Sequence, residues 1–285
     1  HILLTAEDNA GNVTSMEYSI KIDITKPIIN IEYDNNAADS GTFFRESRRA
    51  NVTVKERNFD DSLVNITLRA TNDGADIALP TVSGWTSSGD LHTATIEYTA
   101  EGDYTFDIDV TDKAGNTTEK TILFSVNRFG STYALSAATE QLNGSYVQTP
   151  QDVVVTETNP DALQNIRITL FKNNQTIILQ EGTDYRIEVR GGNGQWYEYI
   201  YTVLAKNFAD DGVYRLTFYS EDAAGNIAEN TLDTKKQEIG FGVDKTKPNM
   251  VVTNLESDTT YPLENLTVSL SAGDNLLLQS VVVYL

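Results

Sequence analysis

The sequence predicts an all-β chain of tandem antiparallel β-sandwiches, and three observations carry the prediction. Apolar and polar residues alternate with a period of two along most apolar runs, whereas no segment carries a 3.6-residue stripe. A short turn motif recurs along the chain, its copies separated by about the length of one sandwich, roughly 100 residues. At 285 residues the chain also exceeds one ordinary core, which holds about 100 to 150.

The repeat sets the organisation. Asp-x-Ala-Gly-Asn stands at Asp8–Asn12, Asp112–Asn116 and Asp222–Asn226. A second marker follows each copy: IDITKP at Ile22–Pro27, SVNRFG at Ser125–Gly130 and GVDKTKP at Gly242–Pro248. These boundaries give residues 1–23 as the C-terminal strands (F and G) of a truncated domain. Residues 24–126 and 127–243 form two complete domains, and residues 244–285 supply the N-terminal strands (A to C) of another truncated one. Both partial units would expose unpaired edges, so head-to-tail association or fraying is expected of them.

Within the first complete unit, strands are expected at Ile28–Tyr33, Ala50–Lys55, Leu63–Ala70, weakly at Ile77–Val82, and at His92–Thr99, Tyr104–Thr111 and Thr118–Val126. Pro27 precedes the first of these, where a missing N–H is tolerated at the start of an edge strand. Pro248 marks the corresponding place before Met250–Leu255. Tyr104, Phe106, Ile108 and Val110 alternate with Asp103, Thr105, Asp107 and Asp109, a strand with one face in the core and one in water. The motif then turns the chain: Asp accepts turn N–H groups, Gly takes a positive φ, and Asn is a further turn residue.

Seven strands in about 100 residues is the size of an immunoglobulin-like sandwich of Greek-key topology. Two further residues support that reading. Tyr104 and Tyr214 each stand two residues before a large apolar residue, Phe106 and Leu216, the placing of a tyrosine corner whose hydroxyl closes onto upstream backbone. Phe106 and Leu216 occupy the position of the second disulfide cysteine of antibody domains, so packing replaces the bond.

Composition narrows the function classes. Asp and Glu number 41 against 21 Lys and Arg, a formal net charge of −20. That field repels nucleic-acid phosphates and anionic membrane surfaces, and no apolar run reaches the roughly 18 residues of a membrane span. With 0 Cys and 2 His, disulfides, thiolate zinc and cysteine nucleophiles are excluded and triad hydrolysis starts from poor material. No enzymatic role is expected. Arg45, Arg48 and Arg49 form the one concentrated basic spot, expected to pair with local carboxylates or protect an edge strand.

The segments YDNN (Tyr33–Asn36), SGTFF (Ser40–Phe44), RRANVTVKERNFD (Arg48–Asp60), VSGW (Val82–Trp85), HTATI (His92–Ile96), GDYTF and TDKAGN resemble one subtype of the bacterial Ig-like domains arrayed in tandem in surface proteins of Gram-positive bacteria. TETNPD (Thr156–Asp161), YEYIYTV (Tyr197–Val203), DGVYRLTFYSEDAAGN and GVDKTKP (Gly242–Pro248) resemble a sister subtype. The resemblance implies an exported, wall-associated stalk or adhesin, extracellular at the cell surface or secreted, and brings no catalytic residues with it. Asn127 and Arg128 depart from the DITKP and DKTKP pattern at the second boundary.

Two candidate sites follow. In an Ig sandwich the B–C loop, the F–G loop and the start of strand A share one end. Glu56, Asn58, Asp60, Asp112, Asn116 and the linker residue Asp23 therefore converge, a hard oxygen set that suits Ca²⁺; the other reading is turn capping. The second unit offers Glu157, Asn159, Asp161, Asp222 and Asn226 with Asn127. The second candidate is aromatic: Trp196 on one face of a strand and Tyr197, Tyr199 and Tyr201 on the other, a ladder for stacking on sugar or anchoring a protein, or a set of strand-pairing residues. The expected role is a non-enzymatic structural and adhesive repeat region, an extended acidic spacer whose constant partners are neighbouring Ig-like domains of the same chain. The alternatives are a carbohydrate- or host-protein-binding module and accessory domains of a large secreted carbohydrate-active enzyme. No cofactor other than Ca²⁺ is implied.

Overall fold

The computed structural model describes residues 1–35, 41–232, 234–262 and 266–284. Asn36 and Ser40, which enter the resemblance segments, lie outside them. The chain divides into two compact units, His1–Arg128 and Phe129–Leu285. Both are all-β and immunoglobulin-like, and no helix among the described residues is long and apolar enough to cross a membrane.

The first unit opens with a hairpin of β1 (Ile2–Glu7) and β2 (Val13–Tyr18). Its sandwich contains β3 (Ile28–Tyr33), β4 (Phe43–Phe44), β5 (Arg48–Lys55), β6 (Val64–Asn72), β7 (Ala75–Asp76), β8 (Thr86–Ser88), β9 (Leu91–Tyr98), β10 (Gly102–Thr111) and β11 (Thr117–Val126). One sheet runs β3-β5-β9-β8 and the other β4-β11-β10-β6-β7. These are the A-B-E-D and G-F-C layers of an Ig fold, with β4 adding a short parallel pairing to β11.

The core follows from the alternation. Val52, Val54, Ile96, Phe106, Ile108 and Val110 are buried, while Asn51, Thr53 and Asp107 on the same strands turn outward. The expected strand at Ile77–Val82 does not form: Pro80 lacks the N–H that a ladder needs. Only the bridge from Val82 to Ile96 and the Ile77 amide bond to the Ala70 carbonyl (3.0 Å) remain there. Arg48 corrects a second expectation, because its guanidinium is buried over the rings of Phe44 (3.5 Å) and Tyr33 (3.7 Å), a cation–π arrangement rather than a surface ion pair.

The second unit contains β12 (Thr132–Leu135), α1 (Ala137–Leu142), β13 (Tyr146–Val147), β14 (Val153–Asn159), β15 (Leu163–Lys172), β16 (Gln175–Ile178), β17 (Tyr185–Gly192), β18 (Gln195–Val203), β19 (Gly212–Asp222), β20 (Ile227–Glu229) and β21 (Ile239–Val243), followed by β22 (Asn249–Thr253) and β23 (Ser269–Gly273). Its sheets run β12-β14-β18-β17 and β13-β21-β19-β15-β16, with β20 also on β19. The short α1, N-capped by the Ser136 hydroxyl, replaces part of the first strand; Ser at the cap and Ala, Glu, Gln and Leu behind it are helix-forming signals. After the β22–β23 hairpin, residues 274–284 form no strand. In the first unit the corresponding β6 is held by β10, and no described strand plays that part for 274–284.

The repeated turn is one structure seen three times. In each copy the Gly amide donates to the Asp carbonyl at 3.0 Å, and the Asp amide donates back to the Asn carbonyl at 3.0–3.1 Å. The glycines have φ of 83°, 91° and 80°, a region that costs a residue with a Cβ. Both tyrosine corners close: the Tyr104 hydroxyl donates to the Ala100 carbonyl at 2.8 Å and the Tyr214 hydroxyl to the Asp210 carbonyl at 2.6 Å.

Candidate functional site

The first unit brings three carboxylates together at the end of its sandwich. One oxygen each from Asp23, Glu56 and Asp112 lies within 4.8 Å of the others. Glu56 follows the last residue of β5, Asp112 opens the β10–β11 turn, and Asp23 lies in the segment before Pro27. Glu56 and Asp112 are buried and Asp23 is half-buried.

The surrounding donors hold the trio in place. The Asn58 side-chain amide donates to Asp23 Oδ2, and the Asn58 main-chain N–H donates to Glu56 Oε1 at 2.7 Å. Asn116 Nδ2 donates to Asp112 Oδ2 at 2.9 Å and to the Asp23 carbonyl at 3.3 Å. Asp112 Oδ1 accepts the Ala114 and Asn116 amides at 2.8 and 2.9 Å. Burial pushes the Asp112 carboxyl up, but the Asn116 donors and the Ala114 and Gly115 amides outweigh it and leave the group below its ordinary value.

Asp60 does not join them. Its carboxylate caps the short 3₁₀ turn Asp61–Leu63 by accepting the Ser62 amide (3.1 Å) and hydroxyl (2.7 Å), and Lys113 Nζ stands 3.5 Å away. Its pKa is lowered, chiefly by the Ser62 hydroxyl. His92 is the member that sequence reasoning missed. Its Nε2 lies 2.8 Å from the Glu56 carbonyl, which only accepts, so Nε2 carries the proton. The ring also stacks on Phe59 at 3.9 Å. The 36 positions separating His92 from Glu56 hide this contact until β5 and β9 pair.

Three anions within this distance repel one another, and among the described residues no Lys or Arg ion pair reaches the trio. A divalent cation would convert the repulsion into attraction, and carboxylate and amide oxygens are the hard donors that Ca²⁺ takes in flexible geometry.

The second unit uses the matching positions differently. Glu157 is buried, accepting the Tyr201 hydroxyl at 2.7 Å and the Ser220 hydroxyl. Asn159 Nδ2 donates to Ser131 Oγ at 2.9 Å and to Asp222 Oδ2 at 3.2 Å. Asp222 also accepts the Asn226 amide and side chain at 2.8 and 2.9 Å, while the Asp161 amide donates to Asn159 Oδ1 at 2.8 Å. Asn127 belongs to the first unit, where its amide donates to the Phe44 carbonyl at 2.8 Å.

The aromatic candidate is corrected. Tyr199 and Tyr201 are only 7 % and 1 % exposed, and Tyr197 packs half-buried against the same core. The Tyr face of β18 is the inner face. Tyr201 is satisfied by Glu157, and the Tyr199 hydroxyl accepts the Leu163 amide at 2.9 Å. Trp196 projects from the opposite face and is half-buried, so β18 presents no exposed tyrosine ladder to sugar or protein.

Comparison with known proteins bears on the first unit directly. Residues 77–127 match the family model of the bacterial Ig-like domain. The match takes in β8 to β11, the tyrosine corner and the Asp112–Asn116 turn. No curated protein matches the chain. Among solved structures it is similar to a tetra-tandem repeat from the extending region of a large adhesion protein, at 14 % identity and TM-score 0.44, covering 89 % of this chain and 58 % of that one. It is also similar to the I67–I69 fragment of the titin I-band, at 14 % identity and TM-score 0.35 over 88 % of this chain and 77 % of that one. The adhesin FdeC of Escherichia coli gives 12 % identity and TM-score 0.37 over 79 % and 68 %. The chain thus spans less than two thirds of the length of the tandem-repeat structure.

Proposed function

We propose that the chain is a non-enzymatic structural and adhesive repeat segment of a bacterial cell-surface protein, an acidic spacer built from Ig-like domains. The observation that carries this reading is that each unit closes its own sandwich core, the design of a module meant to be strung in series. The bacterial Ig-like match and the adhesin neighbours support it, and the net charge of −20 would keep such an array soluble. Protease shaving of intact cells of the source bacterium tests the location: peptides of this chain are expected in the released fraction, and their retention inside shaved cells would contradict it.

For the first unit we infer a Ca²⁺ site on Asp23, Glu56 and Asp112, with Asn58 and Asn116 orienting the carboxylates. The convergence of the three oxygens favours it. Calorimetric titration of the full chain with CaCl₂ should give saturable binding that Glu56→Gln weakens at least tenfold. Identical heats from the variant and the parent would exclude the site.

A further inference from the structure

Asn230–Glu238, the chain between β20 and β21, has no counterpart in the first unit, where β11 runs unbroken from Thr117 to Val126. It is anchored by Asn230, which is fully buried. Strand β19 pairs with β20 over Tyr219–Glu221 and with β21 over Gly212–Leu216, leaving a gap at Thr217 and Phe218. Asn230 fills it: Oδ1 accepts the Phe218 amide at 2.7 Å, the Asn230 amide donates to the Phe218 carbonyl at 3.2 Å, and Nδ2 donates to the Gln237 carbonyl at 2.8 Å. The excursion is therefore held at both ends.

What it carries is a lysine. Lys235 Nζ donates to the Phe129 carbonyl at 3.1 Å and to the Ser131 carbonyl, in the segment that enters this sandwich. Ser131 Oγ is the group to which Asn159 donates, and Asn159 bridges to Asp222. Burial lowers the Lys235 pKa, and the charges of Glu157 and Asp222 act against that. Lys235 Nζ thus sits on two main-chain carbonyl oxygens, one of them in the residue whose hydroxyl leads through Asn159 to the buried Asp222, and Asn159 and the buried Glu157 share one inward face of β14. Carbonyl and carboxylate oxygens are also what a divalent ion would collect there.

We propose that Lys235 is the built-in cation of the second unit, a tethered ammonium doing for Glu157 and Asp222 what a soluble divalent ion does for the carboxylate trio of the first. The comparison with the first unit rests on the Ca²⁺ reading above; the role of Lys235 stands on the second unit alone. The consequence is a division of labour, with one repeat whose end stiffens with calcium supply and one that is indifferent to it.

The test uses the full chain and its two tryptophans, one per unit. In a Trp85→Phe background, Trp196 fluorescence follows the second unit during thermal unfolding in 5 mM-scale CaCl₂ or in chelator, roughly the millimolar range of extracellular calcium modules. The parent should melt at the same temperature in both. Lys235→Gln keeps a donor for the carbonyls but removes the charge, and should melt lower in chelator and recover in CaCl₂. Lys235→Arg should remain indifferent to calcium. Loss of stability in Lys235→Gln that calcium does not restore, no loss at all, or a calcium response in the parent would each overturn the proposal. The complementary Trp196→Phe background reports the first unit, so failure of the trio to bind calcium registers separately.

Discussion

Phe106 offers the sharpest measure of how the first unit is held. It is 0 % exposed, sits on the central β10 between Leu68 of β6 and Ile122 of β11, and stands where a disulfide would tie the two sheets together. Phe106→Ala removes the ring and leaves a cavity that flanking strands cannot close, a loss of about 3–5 kcal/mol. A domain of this size has only about 5–15 kcal/mol in total, and each kcal/mol moves the melting temperature by roughly 4–8 °C. The first unit should therefore lose about 12 °C or more, or fail to fold at room temperature. Denaturant unfolding in a Trp196→Phe background, where Trp85 reports from its packing against Phe59, measures the loss. Trp196 in the complementary background should show the second unit unchanged. A loss under about 1 kcal/mol, or equal losses in both units, would refute the claim that Phe106 closes a private core.

Tyr104→Phe and Tyr214→Phe each delete one corner hydrogen bond while keeping the ring, and chemical denaturation of the affected unit should show a cost of about 1 kcal/mol. Tyr201→Phe leaves buried Glu157 one donor short and should cost about 1–3 kcal/mol in the second unit, with Tyr199→Phe costing less because its hydroxyl serves a single amide. Asp112 is depressed in the folded state, so its stabilisation is complete above the ordinary value of 3.8 and fades as pH falls through the lower folded value. Acid titration of the first unit by Trp85 fluorescence should show that limb, and Asp112→Asn should flatten it.

The fold was legible because its local signals agree with its tertiary ones. The alternation in Tyr104–Val110 and the Asp-x-Ala-Gly-Asn turn specify a hairpin whatever surrounds them, and the corner tyrosines mark the strand at its centre. Where tertiary context decides, the sequence is silent. A period of two assigns Trp196 and Tyr199 to opposite faces of β18 but does not say which face is covered; burial of Glu157 beneath Tyr201 draws the tyrosines inward. Strands β4 and β8 have two and three residues, too short to show a period. Shared loop ends brought Asp23, Glu56 and Asp112 together as topology requires, whereas Asp60 found a nearer task in the turn it caps. Lys235 lies 78 positions beyond Glu157 in numbering and carries no local mark; only the Asn230 clamp on β19 reveals where it goes.

Pulling single molecules of the full chain by their two ends tests the central claim most directly. Two cores that close separately should give two main force peaks, each releasing roughly 300–400 Å of chain, the span of about 100 extended residues. One peak releasing about twice that length would mean a single shared core and would contradict the account.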